Sequence, residues 1–141
     1  MCWQSIEATK QVAKRDFYVY KIGFVIGNNF SSLYQKYSYK IKRNNPIIPL
    51  KPVREYPYDL AKIETGYHSY KEVAIGFYPK NPYFRNIYLG DVITGYIDKF
   101  ECYSALYVGI FIVPKGSEYY INNRGEIVSS NIIYTGKWVK L

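Results

Sequence analysis

The chain has 141 residues, 48% of them hydrophobic and 21% charged, a composition that fits one folded domain over residues 1–141 and excludes a disordered or collagen-like chain. Nineteen Lys and Arg against eleven Asp and Glu leave a net charge of +8, which favours anionic partners, small nucleotides and phosphates first and nucleic acid second. No apolar run approaches the length of a membrane-spanning helix and no secretory leader is legible, so the expectation is a cytoplasmic protein with no membrane partner and two reduced cysteines, Cys2 and Cys102.

In chain order, Met1 to Lys14 is polar and weakly patterned and reads as a lead into a sheet. Asp16 to Ile26 (DFYVYKIGFVI) is dense in β-branched and aromatic residues and predicts a strand, broken at Gly27-Asn28-Asn29. Ser31 to Ile41 alternates weakly and reads as a second strand running into a loop. Asn44 to Tyr58 carries four of the seven prolines. Because proline removes a ladder donor and fixes φ, this stretch predicts an extended surface loop or edge segment. Ser69 followed three residues later by Glu72 has the spacing of a capping box, which predicts a helix of about two turns with Val73, Ala74 and Phe77 on its apolar face and Gly76 and Pro79 at its end. Strands are predicted near Arg85–Leu89, Val92–Ile97, Glu101–Val113, Glu118–Ile121, Ile127–Val128 and Ile132–Tyr134. The fold class expected is mainly β (α+β), a compact antiparallel sheet or barrel-like domain with one or two short helices packed on it.

Eighteen tyrosines beside seven Phe and two Trp make the chain 19% aromatic, more than a small core needs. Many phenols are therefore expected at half-exposed positions, apolar on one side and hydrogen-bonding on the other. They could serve as cross-strand pairs on a wet sheet face or as stacking surfaces for bases and sugars.

Motifs that carry chemistry are sparse. His68 is the only histidine, and no Ser-His-Asp order, P-loop, Gly-rich dinucleotide loop or zinc ligand spacing accompanies it, so neither a catalytic residue nor a metal or other cofactor is expected. His68 could still act as an acid or base, or donate to a phosphate beside the expected helix start; the plainer reading is a structural hydrogen bond in a turn. The turns are more suggestive. Lys115 sits in Pro114-Lys115-Gly116-Ser117 and Arg124 in Asn122-Asn123-Arg124-Gly125, where a turn could offer amides and a cation to one phosphate. Lys71, Arg54 and Arg85 are further basic candidates. With Tyr67, Tyr70, Tyr119 and Tyr120 they would form a pocket that stacks a base and pairs a phosphate.

The blocks Val19-Tyr20-Lys21, Gly66-Tyr67-His68-Ser69-Tyr70, Pro114-Lys115-Gly116-Ser117-Glu118-Tyr119-Tyr120 and Gly125-Glu126-Ile127-Val128-Ser129 resemble a group of small proteins encoded by bacteriophages and prophages, over nearly the whole chain. The resemblance implies no active site. By analogy of context and size, and not by a motif, small phage proteins of this kind are often anti-defence factors, some of them oligomeric sponges for cyclic nucleotides or cyclic ADP-ribose derivatives made by bacterial immune systems. The function expected is therefore capture of a nucleotide-derived immune messenger without catalysis, by a homo-oligomer. The alternatives are an enzyme acting on a nucleotide or ADP-ribose through His68, and an inhibitor that binds a host protein through exposed aromatics.

Overall fold

The computed structural model describes residues 3–5, 9–32, 37–55, 60–71, 73–77, 84–89, 92–98 and 106–140. Every regular element among them is a strand, and every strand pairs antiparallel with its neighbours. In chain order the strands are β1 (Trp3–Ser5), β2 (Gln11–Val12), β3 (Phe17–Ile26), β4 (Asn29–Ser32), β5 (Ser38–Lys40), β6 (Val53–Glu55), β7 (Leu60–Ile63) and β8 (Tyr67–Tyr70). They continue with β9 (Val73–Phe77), β10 (Phe84–Leu89), β11 (Val92–Asp98), β12 (Leu106–Val113), β13 (Glu118–Ile121), β14 (Glu126–Ser129) and β15 (Ile133–Lys140).

Nine of them form one sheet in the order β15-β12-β3-β8-β14-β13-β2, with β4 and β5 branching from β3. The longest pairing is β3 with β12, from Phe17↔Val113 to Phe24↔Leu106. Residues of alternate parity line the inner face: Val19 on β3, Phe30 on β4, Tyr39 on β5, Tyr67 on β8, Phe111 and Val113 on β12, Ile127 on β14 and Tyr134 on β15 are buried together. Aromatic edges lock this face. Phe30 and Tyr39 each meet the Phe111 ring edge-on, with centroids 5.2 and 5.1 Å apart, and Tyr134 tilts against Phe111 at 5.1 Å.

A second sheet, β1-β7-β6, covers the opposite face of β8, β14 and β13. There Trp3 and Ile63 pack on Tyr120 and Val128 with Leu50 beside them, and Trp3 Nε1 donates to the Glu126 carbonyl at 2.9 Å. Gly66, at φ 91°, makes the turn from β7 to β8 so close to β14 that a Cβ would lie 2.9 Å from Val128 Cγ2. A third sheet, β11-β10-β9, is an antiparallel meander of its own.

The expected helices are corrected here, and of the expected antiparallel sheet or barrel-like domain the open sheet is what forms. The expected helix from Ser69 is absent, and no helix occurs among the described residues. The apparent capping box fails because Ser69 is an inward-facing strand residue, 1% exposed between the outward His68 and Tyr70, and Val73–Phe77 continues as strand β9. Period-two burial in a β-branched and aromatic stretch outweighs a two-residue cap signal. Nor does the large sheet close into a barrel. It curls until Ile41, just past β5, makes a single parallel bridge to Tyr134 on the β15 edge, and Lys42 N donates to the Tyr134 carbonyl at 2.7 Å. One bridge is too short to remove either edge. The expected proline-rich segment is extended without ladder pairing over 43–52 before β6 begins, and its Pro46 and Pro49 carbonyls are used by Tyr67 Oη and Thr65 Oγ1. Among the described residues no helix is long and apolar enough to cross a membrane.

Candidate functional site

Two regions hold chemistry-bearing side chains: the turns at the ends of β13, and a fork in the large sheet beside β3.

The turn after β13 is built by Asn122, whose Oδ1 accepts the amides of Arg124 and Glu126 at 3.0 Å each, while Gly125 N donates to the Asn122 carbonyl at 3.1 Å. This Asx arrangement is what Asn-Asn-Arg-Gly favours, with Gly125 at φ 74°. Lys71, just past β8, donates its amide to the Gly125 carbonyl at 2.8 Å, so the exposed side chains of Arg124 and Lys71 rise from two joined turns. Tyr70 lies next to them in register with Glu126. Among the described residues the Glu126 carboxylate is the acidic group of this corner, and Asn122 Nδ2 donates to it at 3.2 Å.

Lys115 occupies the turn at the other end of β13. Its amide donates to Asp16 Oδ1 at 2.7 Å, Gly116 N to the Ala13 carbonyl at 2.8 Å and Ser117 N to Pro114 O at 3.1 Å. All three turn donors are therefore engaged within the protein, and an anion here would meet side-chain cations alone. The exposed Lys14 and Arg15 stand on the segment that this turn packs against. Four strand residues separate the two corners, roughly 13 Å at the usual rise. One phosphate cannot touch both.

The remaining expected residues are dispersed. Tyr119 tilts on Phe17 at 5.0 Å on the inner face and donates to Gln11 Oε1 at 3.0 Å, whereas Tyr120 is 5% exposed and packs on Trp3 at 5.7 Å on the other face. Arg54 is on β6 in the second sheet and Arg85 on β10 in the third, opposite Ile97 and Phe77. Tyr67 is buried, with its hydroxyl donating to the Pro46 carbonyl at 2.5 Å. Of the ten tyrosines whose burial is described, Tyr20, Tyr70, Tyr107 and Tyr119 are half-buried as expected and Tyr18 and Tyr37 are exposed, whereas Tyr39, Tyr67, Tyr120 and Tyr134 are buried in the interior. A core between curled sheets has room for large flat rings, and a phenol that finds a carbonyl can be buried without loss.

The fork was not legible as a site. β3 pairs with β8 at Tyr20↔Tyr70 alone and with β4 from Gly23 onward. Continuing the first register sets Lys21 opposite Ser69, where the two partners diverge. Lys21 turns inward between Val19 and Gly23, is 4% exposed, and its Nζ donates to the His68 carbonyl at the split. The same ammonium lies 5.5 Å from the centre of the Tyr39 ring. No carboxylate is its partner among the described residues. Burial pushes its pKa down to about 7. Tyr37, Tyr39 and Tyr67 gather beside it with ring centroids 5.7–6.2 Å apart. Burial, with the neighbouring Tyr67 and Tyr37 phenols, drives the Tyr39 hydroxyl far above the usual phenol range. The signal was available: a lysine at an inward position of an otherwise apolar strand, in FYVYKIGFVI.

His68 points to the opposite face of β8, toward Val128. Its Nε2 is buried without a partner, and burial, then the Lys21 charge, hold its pKa at about 4 against a main-chain bond at Glu64 that raises it. At neutral pH it is an uncharged ring. Among the described residues no group of His, Cys, Asp and Glu could hold a metal ion. No protein-family model, curated protein or solved structure matches the chain.

Proposed function

We propose that this chain is a non-catalytic receptor that captures an anionic, nucleotide-derived messenger of the cyclic-nucleotide or cyclic ADP-ribose kind, as a phage-type anti-defence sponge acting in the host cytoplasm as a homo-oligomer. The observation that carries the reading is the joining of the Lys71 and Arg124 turns by one main-chain hydrogen bond, which stands two exposed cations at one corner of a strongly basic chain. An arginine fork beside a lysine is suited to phosphate oxygens, and rigid strands at its base limit the ordering cost of binding. Sequestration needs enclosure and no proton transfer. The neutral, partly buried His68, far from the pKa a general acid needs at pH 7, favours capture over the rival reading of an enzyme built on that residue.

The test is titration of the purified chain with cyclic dinucleotides and cyclic ADP-ribose isomers, followed by heat denaturation and mass spectrometry of the released ligand. Intact recovery is expected, and an altered product would replace this reading with the enzyme. Affinity should fall as ionic strength rises, because exposed charge pairs are screened. A flat salt dependence would move recognition from the cations to ring stacking.

A further inference from the structure

We propose a second, interior anion site at the β3 fork, in which Lys21 Nζ, Tyr39 Oη and Ser69 Oγ hold one monatomic anion of chloride type. The site is distinct from the basic corner and shares no residue with it. Three observations converge. Lys21 is a buried ammonium with three protons to give, and its assigned acceptor is the His68 carbonyl. Tyr39 Oη and Ser69 Oγ are buried with no hydrogen-bond partner, and so is Ser129 Oγ, on the strand paired with β8 and directly opposite Tyr67. All of these side chains project to the inner face of the large sheet, with Lys21 and Ser69 opposite each other where β3 and β8 part.

The chemistry of this set has one sign. A lysine and hydroxyls offer protons from one face of the sheet, and no carboxylate among the described residues faces them. An unpaired buried cation and orphaned hydroxyls are each costly, and an anion relieves both at once by accepting from all of them. Size selects the anion. Tyr39 and Ser69 are each 1% exposed and Lys21 4%, so a phosphate carried on a larger ligand has no path to the ammonium without parting the strands. A halide ion is close to a water molecule in size. Only the halide also compensates the charge, and it would raise the lysine pKa that burial now holds at about 7. Among the described residues the titratable groups on this face are Lys21 and the phenols of Tyr37, Tyr39, Tyr67, Tyr107, Tyr119 and Tyr134, and the His68 ring points away.

The experiment measures unfolding of the full chain at pH 6, with Lys21 protonated, while chloride replaces methanesulfonate at constant ionic strength. Once chloride exceeds its dissociation constant, each tenfold increase should raise the folding equilibrium constant up to tenfold, the signature of one bound ion. Lys21→Met should abolish that dependence, and Ser69→Ala should weaken it if the methionine variant fails to fold. Crystals of the unaltered chain grown in bromide should show one anomalous peak within hydrogen-bonding distance of Lys21 Nζ. Stability that tracks ionic strength alone, an unchanged chloride response in both variants, or a water in place of bromide would each overturn the site. A failure here leaves the messenger-binding corner untouched, because that corner is tested by ligand titration and by Arg124 and Lys71.

Discussion

Lys21 and Lys115 are the same residue type a short distance from the same inner core, and they obey different physics. Lys115 is exposed on a turn, where water screens its charge and its backbone amide, not its ammonium, anchors the turn through Asp16. Lys21 is enclosed at a split between strands, where its ammonium replaces the ladder partner that the His68 carbonyl loses as β3 turns from β8 to β4. In the first case the side chain is dispensable to the fold and available to a ligand. In the second it is part of the sheet, at the cost of carrying a charge out of water. Position in the ladder decides which role a lysine takes.

The sharpest way to break this contrast is pH. The unfolded chain holds the Lys21 proton up to about 10.5 and the folded chain releases it near 7, so between those values the unfolded state binds more protons and stability rises with pH. The rise should be on the order of 4 kcal/mol between pH 7 and 10 and should flatten in Lys21→Met, as read by denaturant unfolding at each pH. A slope identical in that variant would mean the ammonium reaches water after all. Next comes Gly23→Ala, at the residue where β3 takes up β4. Its Cβ would lie 2.0 Å from the Ser31 carbonyl oxygen, so the pairing must open at a cost of about 3 kcal/mol. A melting temperature close to that of the unaltered chain would show the fork to be loose. His68 gives an effect no larger than this on the acid side. Its folded pKa of about 4 lies below the ordinary 6.5, so stability should fall by up to roughly 3 kcal/mol as pH drops through that window, and His68→Leu should lose this acid limb.

The parts of this architecture that local sequence encodes were legible. Phe17–Ile26 and Glu118–Ile121 lie where the apolar pattern and the Gly-Asn-Asn and Asn-Asn-Arg-Gly turns set them. What could not be read was decided by pairing at long range. Trp3–Ser5 is a strand only because Ile63 to Ala61 lies beside it, and Ser69 is inward only because β8 joins β14. At the candidate site, the turn cations were legible as turns, while the joining of Lys71 to Arg124 depends on the β8–β14 register. Arg54 and Arg85 were grouped with them on charge alone, and charge carries no topology.

The smallest expected effect on folding is also the one that tests ligand binding. Arg124→Ala and Lys115→Ala remove exposed turn cations whose turns are held by Asn122 Oδ1 and by Asp16, both of which remain, so unfolding free energy should shift by less than about 0.5 kcal/mol. Affinity should respond very differently. A charge-assisted hydrogen bond contributes roughly 1.5–3 kcal/mol, so Arg124→Ala should weaken messenger binding about ten- to a hundredfold. Lys71→Ala should do the same less than additively, because both cations serve one phosphate. Lys115 stands at the far end of β13, so its loss should be additive with that of Arg124 for a ligand carrying two separated phosphates and silent for a ligand carrying one. Calorimetric titration of five variants, the three single mutants with the Arg124→Ala/Lys71→Ala and Arg124→Ala/Lys115→Ala double mutants, reads all three relations. Undiminished affinity in every one of them would remove the basic corner as the site.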